Sequence, residues 1–493
     1  MSSVFSPIHE GNTYFLLIHG KFLRSESGKT ITGQTPFDGT PTYTIQAATK
    51  EEIDRAYESA AQAQREWRRV PLWKRAEVVH KAATILREHV DEIATVILRE
   101  VGKNRKSAVS EVLRTADLCD YTAEEGLRME GQLLVGDSYP GQPRNKLCLV
   151  QRVPLGVVLA QGPFNYPCNL TGSKVAPALM AGNSCVVKGP TQGAVSALYL
   201  TAAFHFAGAP PGVVNFVSGR GSEIGDYLVQ HPLCNCISFT GGNIGLEVAK
   251  KAHMIPMQME LGGKDAAIVC DDADLDLAAK CIVSGAFSYS GQRCTAVKLV
   301  LAVESIAEEL ISKVVERTRA LTVGHPEDNC EVTAVINKAA ADYAESLAMD
   351  AKEKGAKFLL EYRREANLIY PLVVDHVNES MKLAWEEPFA PVLPIMRVKD
   401  EKAAVAFANR LRYGLQGCVF TRDVNRAISL SSSITAGTIQ VNGAPARGPD
   451  HFLFLGHKDS GINAQGAKWS IEAMTKLKSI VINLPEEAYM VAN

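Results

Sequence analysis

Between Cys148 and Ala252 the chain alternates short apolar runs with helical stretches, a pattern that few architectures accept. "CLVQRVPLGVVLAQ", "SCVVKG", "GVVNFVSG" and "CISFTG" read as strands. "NLTGSKVAPALMAGN", "GAVSALYLTAAFHFAG", "SEIGDYLVQH" and "NIGLEVAKKA" between and after them read as helices. Such alternation is the signature of a parallel sheet with helical crossovers, so the fold class is α/β with a doubly wound nucleotide-binding sheet. A second α/β unit is expected from "MQMELGGKDAAIVC", past Cys294, to about Gln440. The region before the first sheet reads as helical. Thr49 and Glu52 form a capping-box pattern ahead of Ile53, Ala56, Tyr57, Ala60 and Ala61. One long periodic stretch runs from Leu72 to Val101 with Gly102 as its stop, and another spans Ala108 to Arg128. The terminal "LKSIVINL" is an apolar strand far in sequence from any partner.

Composition narrows the function classes. The 493 residues suffice for two or three domains. With 52 basic and 54 acidic residues the net charge is −2, which argues against a nucleic-acid partner. No apolar run approaches the ~20 residues a membrane helix needs, so no membrane partner is expected. The N-terminal stretch lacks a signal-peptide pattern, and the eleven cysteines are scattered and odd in number. Both features point to free thiols in a reducing compartment, with the cytoplasm as the expected location. His231, Cys234 and Cys236 lie close together, but no second ligand pair follows, so no metal site is expected.

Several short segments carry chemistry. In "SYSGQRCTAV", Arg293 precedes Cys294, and a neighbouring cation favours the thiolate form of a nucleophilic cysteine. Lys188 closes the strand "SCVVKG", at the strand end where a nucleotide sits in a doubly wound sheet. Three residues on, Thr191 offers a hydroxyl and no carboxylate, so a 2′-phosphate meets no repulsion there. Gly219, Gly221 and Gly225 miss the usual dinucleotide spacing by one residue; Gly241, Gly242 and Gly245 lie between a strand and a helix. Glu260 ends an apolar strand in "MELGGKD", where apolar surroundings would make it a general base near neutral pH. Asn165, between Pro163 and Pro167 in "GPFNYPCNL", is a suitable fixed donor to an oxyanion. Each residue alone has a plain alternative: a core cysteine, a solvated lysine, a turn glycine, a strand-end glutamate, an Asx-turn asparagine. Their joint occurrence changes the balance.

With these segments in place the chain resembles the aldehyde dehydrogenase superfamily over nearly its whole length. The matching strings are "PFNYP", "VVKGPTQG", "SFTGG", "MELGGKD", "GQRCTA", "EEPFAPV" and "DSGINAQG". "YSGQRCTAVK", "WEEPFAPVLP" and "APARGPDHF" further resemble its NADP-dependent, non-phosphorylating glyceraldehyde-3-phosphate dehydrogenases. The resemblance implies Cys294 as nucleophile, Glu260 as general base, and Asn165 with the Cys294 amide as oxyanion hole. It implies NADP as cofactor, held by Lys188, Thr191, Gly225, Thr240, Gly241, Gly245, Glu387 and Phe389. It further implies that Arg114, Tyr166, Arg293 and Arg447 grip the phosphate of glyceraldehyde 3-phosphate.

The implied reaction passes through a cysteine thioester that water hydrolyses to 3-phosphoglycerate, without inorganic phosphate. Another aldehyde or semialdehyde dehydrogenase is the alternative; an acyl transfer to coenzyme A is disfavoured by Glu260. The implied architecture has a Rossmann-type cofactor domain (1–129 and 152–261), a catalytic domain (262–445) and a small β oligomerisation element (130–151 and 470–493). A homo-oligomer is expected, a tetramer before a dimer. The chain departs from the family pattern at Gly162, Gly189, Ala390 and Leu453, none of them a catalytic group.

Overall fold

The computed structural model describes residues 3–484. Five parallel strands, Val157–Gln161, Ser184–Lys188, Val214–Val217, Cys236–Thr240 and Met257–Glu260, form the centre of an eight-stranded sheet. Every residue of these strands except Met257 is buried, which accounts for their unbroken apolar runs. Val157–Gln161 lies in the middle. Its next two strands in the chain stack on one side and the later two on the other, so the winding reverses between Val157–Gln161 and Cys236–Thr240. Ligands of open α/β sheets bind in the crevice at such a reversal, beyond the carboxyl ends of the strands. Both flanking strands end there in short polar loops, at Gln161 and Thr240.

A second sheet of seven strands is built around Ala266–Val269, Leu299–Val303, Val392–Val398 and Gln416–Phe420, all parallel to their neighbours among these four. The residues between Glu260 and Ala266 are the seam between the two sheets. "MQMELGGKDAAIVC" therefore does not open the second unit. Its first half completes the first sheet, and only Ala266–Val269 belongs to the second. A third sheet joins distant segments: Thr475–Asn483 pairs antiparallel with Lys146–Pro154, which pairs with Gln132–Val135.

Three local expectations change. The first region is not only helical: Leu16–Ile18 and Lys21–Leu23 extend the first sheet, and Thr30–Gln34 and Pro41–Gln46 belong to a separate four-stranded sheet. Leu16–Ile18 and Lys21–Leu23 are only three residues each, and the other two strands are mostly polar, so no alternation stands out. The stretch from Leu72 to Val101 is two helices, Leu72–Glu88 and Val90–Val101, broken at His89 (φ −112°, ψ 23°). Asp91 and Glu92 in the first turn of the second helix are its start signal, and left-handed Gly102 ends it. "CLVQRVPLGVVLAQ" is likewise two strands, in different sheets, separated around Gly156 (φ +137°). Among the described residues no helix is long and apolar enough to cross a membrane.

The capping box forms as the sequence indicates. The Glu52 amide donates to Thr49 Oγ1 at 3.2 Å, and the Thr49 amide to Glu52 Oε2 at 2.7 Å. Glu52 also accepts from Ser25 Oγ and the Glu26 amide, both at 2.9 Å, so the cap ties the N-terminal segment to the helix Lys50–Trp67. Thr49→Ala is expected to cost about 1 kcal/mol, seen as a lower denaturant midpoint with turnover unchanged.

Candidate active site

Cys294 sits on a backbone held in an uncommon conformation. After the helix Leu275–Phe287, Tyr289, Ser290 and Gly291 all take positive φ (51°, 55° and 71°). Left-handed backbone costs a residue with a side chain roughly 1–2 kcal/mol, and neighbouring contacts offset it here. Ser290 Oγ donates to the Thr333 carbonyl at 2.8 Å and accepts from the Thr333 amide at 2.9 Å, while Tyr289 Oη donates to the Val101 carbonyl at 3.1 Å. Gly291 is required twice over: its φ is left-handed, and a Cβ would lie 2.4 Å from the Ala390 carbonyl oxygen.

The turn delivers the Cys294 thiol to Glu260, with Sγ 3.3 Å from Oε1. Burial first, and then the Glu260 charge, push the thiol well above its ordinary value; Lys298 opposes them. Lys298 donates to the Cys294 carbonyl and reaches Glu387 Oε1 at 2.9 Å. Arg293 does not tune the thiol. Its guanidinium turns to Ser288 Oγ at 2.5 Å and the Pro445 carbonyl at 3.1 Å.

Glu260 is buried but not in apolar surroundings, contrary to the sequence reading. Its Oε2 accepts from Arg447 Nη1 at 2.7 Å and Thr240 Oγ1 at 3.2 Å. Lys174, fully buried, donates to Thr240 Oγ1 at 2.6 Å, and burial lowers its ammonium to about 7. Asn165 is buried on the loop after Val157–Gln161, and its Nδ2 donates to the Gln292 carbonyl at 2.9 Å. An amide nitrogen carries two hydrogens, so one remains. The Cys294 backbone amide makes no hydrogen bond to any described residue.

A cavity of about 520 Å³ opens at the winding reversal and reaches the thiol. Asn165, Thr191, Thr240, Gly241, Cys294, Glu387 and Phe389 all line it. Lys188, Gly225 and Gly245 do not. Lys188 is buried at its strand end with no hydrogen-bond partner among the described residues, and burial lowers it to about 8. A Cβ on Gly225 would meet nothing within 4 Å, whereas one on Gly245 would lie 2.1 Å from Leu261 Cδ2. Gly245 therefore serves helix-to-strand packing.

These residues fit a dinucleotide carrying a 2′-phosphate. An unpartnered buried ammonium, an uncharged Thr191 and open space over Gly225 and Gly242 accept one without repulsion.

A second cavity, of about 830 Å³, is lined by Arg114 and Tyr166 together with Glu111, Ser288 and Tyr289. Arg114 makes a bidentate pair with Asp450, Nε to Oδ2 at 2.6 Å and Nη2 to Oδ1 at 2.7 Å, and also donates to the Arg447 carbonyl. Arg447 Nη2 donates to Gln465 Oε1 at 2.6 Å. Arg114, Arg447 and Asp450 thus form one network, with Tyr166 on the wall that Arg114 shares and Arg293 anchored beside it through Ser288. Asp450, Gln465, Lys174 and Lys298 were missed in the sequence. Lys298, four residues after Cys294, and Asp450, three after Arg447 in "APARGPDHF", had readable spacings; Gln465 lies in "DSGINAQG" but meets Arg447 only through the fold, and Lys174 meets Thr240 across 66 residues of chain.

The aldehyde dehydrogenase family profile matches residues 22–480. This chain belongs to the aldehyde dehydrogenase family. A maize (Zea mays) relative, an NADP-dependent glyceraldehyde-3-phosphate dehydrogenase, is 55% identical over 490 residues, covering 99% of this chain and 98% of its own. A Streptococcus equinus protein of the same name is 50% identical, over 91% of this chain and 94% of its own. The NADP-dependent glyceraldehyde-3-phosphate dehydrogenase of Bacillus halodurans, solved with NADP, superposes with a TM-score of 0.95 at 46% identity, covering 96% of this chain and 100% of its own. The α/β fold of this family is thus the fold of this chain.

The electrostatics of the thiol give a direct expectation. In ligand-free protein, iodoacetamide labelling of Cys294 is slow at pH 7 and continues to rise above pH 9, because the thiolate is the reactive form. Glu260→Gln removes the nearest negative charge and moves the curve to lower pH. Peptide mass spectrometry across a pH series measures it; an unshifted curve refutes the coupling.

Proposed function

We propose that this chain oxidises glyceraldehyde 3-phosphate to 3-phosphoglycerate with NADP⁺, through a thioester on Cys294 that water hydrolyses. The observation that carries the reading is one carboxylate shared by a thiol and a guanidinium: Glu260 holds Cys294 Sγ at 3.3 Å and Arg447 Nη1 at 2.7 Å. A short substrate with an aldehyde at one end and a phosphate at the other spans these two groups. The names of the full-length relatives support the same substrate and cofactor.

The Cys294 thiol ionises, its proton passing out to solvent, and the thiolate sulfur adds to the aldehyde carbon. Asn165 Nδ2 and the Cys294 amide hold the resulting oxyanion; one such donor is typically worth on the order of 10²–10³ in rate. When bound, the nicotinamide cofactor supplies the hydride acceptor that turns the thiohemiacetal into a thioester. Glu260 then takes a proton from water as its oxygen attacks the thioester, the C–S bond breaks, and the carboxylic acid leaves. Two electrons leave the aldehyde and no inorganic phosphate enters, so the product is the acid itself.

Arg447 makes this sequence conditional. Its guanidinium holds Glu260 and Gln465 in the resting protein, and a substrate phosphate competes for the same donors. Taking Arg447 away leaves the carboxylate free to accept a proton. Arg293 and Tyr166 complete the phosphate grip, and Arg114 contributes once it is shared with Asp450.

The remaining parts of the reading rest on surfaces and composition. We assign residues 1–129 and 152–261 to the cofactor, 262–445 to catalysis, and 130–151 with 470–493 to self-association; 485–493 lie outside the described residues. Exposed Leu133, Leu134, Leu149, Leu477, Ile480 and Val481 on the three-stranded sheet support a homo-oligomer, with a tetramer as the expected state. The described cysteines are free thiols, which supports a cytoplasmic location.

Three measurements test the chemistry. Glu260→Gln is expected to give a burst of one NADPH per site and then stall, with acyl-enzyme visible by mass; full steady-state turnover removes Glu260 from hydrolysis. Arg293→Ala is expected to raise KM for the phosphorylated aldehyde far more than for an unphosphorylated one. Equal effects on the two substrates overturn the phosphate assignment, and a rate that requires added inorganic phosphate overturns the hydrolytic route.

A further inference from the structure

The two halves of the oxyanion site come from different sheets. Asn165 follows a strand of the first sheet, and Cys294 precedes Leu299–Val303 of the second. Their alignment therefore needs an anchor common to both. Neither half of the proposed mechanism uses Lys103 or Glu111, yet both are almost completely buried and form an ion pair. A buried pair of this kind is retained at a desolvation cost that its Coulomb energy often only balances.

Each partner spends its remaining capacity on the site. Lys103 Nζ donates to the backbone carbonyl of Asn165 at 2.8 Å. The same ammonium lies 3.7 Å from the ring centroid of Tyr166 and 4.5 Å from that of Tyr289, both within cation–π range. Tyr166 belongs to the Asn165 loop, and Tyr289 to the left-handed turn that leads to Cys294. Glu111 Oε1 accepts the backbone amides of Cys168 at 2.9 Å and Asn169 at 3.1 Å, at the start of the helix Asn169–Met180. The loop 165–169 is thus pinned at one end by the cation and at the other by the anion. One ammonium touches both the oxyanion donor's loop and the nucleophile's turn. Asn165 Nδ2 on the Gln292 carbonyl is the only side-chain bond from Asn165 across the same gap among the described residues.

The geometry points to Lys103 and Glu111 as positioning residues for the oxyanion site, registering Asn165 against Cys294 rather than touching substrate. This rests on the assignment of Asn165 as oxyanion donor. The side-chain amide acts only if its nitrogen stays where the oxyanion forms, and the Asn165 backbone is held there by the cation. Arg114 lies one turn after Glu111 on the helix Arg105–Gly126, so the same helix also sets the arginine that faces the second cavity.

A double-mutant cycle tests it. Lys103→Met/Glu111→Leu replaces the pair by apolar side chains of similar volume, a change that is often neutral for stability. The readouts are the rate of the NADPH burst, KM for the phosphorylated aldehyde and NADPH affinity by fluorescence. The expected result is a burst slowed by about 10²-fold, the scale of a lost oxyanion donor, with cofactor affinity unchanged. Asn165→Ala is expected to slow the parent strongly but to add less than about threefold in the clamp-less background, because the two changes remove the same function. A burst rate within threefold of the parent, or effects of Asn165→Ala that multiply fully, overturns the proposal. Full activity of Asn165→Ala in the parent overturns the Asn165 assignment, and the clamp's function with it. If the double variant does not fold, Glu111→Gln, which keeps the volume and one acceptor oxygen, carries the same cycle.

Discussion

A buried carboxylate has to be paired, because removing its charge from water without compensation costs several kcal/mol. Glu260 meets that requirement with a thiol, a hydroxyl and a guanidinium, each needed by the proposed chemistry for another purpose. Its place in the fold explains why they converge. Glu260 ends the last central strand of the first sheet, at the seam, so it faces the Cys294 turn and the Arg447 loop together. The glycine pair after it follows from the same crowding. A Cβ on Gly262 would lie 2.5 Å from Glu387 Oε2, and one on Gly263 2.5 Å from Asp265 Oδ1. "ELGGKD" is thus a packing constraint as much as a chemical motif.

Two cavities lie on different sides of the Cys294 loop. The cavity at the winding reversal reaches Cys294 past Asn165, Thr240 and Phe389. The second cavity reaches the same loop from the side of Arg114, Tyr166 and Ser288. The division follows from topology: the first cavity belongs to the carboxyl ends of the first sheet, the second to the face between the helices Arg105–Gly126 and Leu275–Phe287.

Legibility in the sequence followed the range of the interactions. The parallel strands were readable because each is a short run buried on both faces, and the capping box because its two residues lie three apart. The break at His89 was not, since both flanking helices keep apolar periodicity and only the acidic pair Asp91–Glu92 marks the restart. The N-terminal strands escaped for the opposite reason: Thr30–Gln34 alternates exposed and half-buried positions with little apolar content. Cys294, Glu260 and Asn165 were legible as motifs, but their electrostatics were not. Glu260 looks apolar in its strand, and its ion pair with Arg447 spans 187 residues of chain. Arg293 looks like the cation for Cys294 because it is adjacent; the turn points it elsewhere, and Lys298 takes that place.

In the proposed reaction the resting charges leave neither group ready before its ligand. Burial and the Glu260 charge push the thiol up, and Arg447 is paired with the carboxylate. In the proposed reaction the phosphate is the one part of the substrate that can relieve the second restraint, since it alone offers a guanidinium better partners than a carboxylate and an amide oxygen. An aldehyde lacking the phosphate leaves Arg447 on Glu260, and the hydrolytic base stays committed. Specificity for a phosphorylated substrate in the proposed reaction then arises in the rate of the chemical steps as well as in binding, because the groups assigned to the phosphate are the groups that restrain the base.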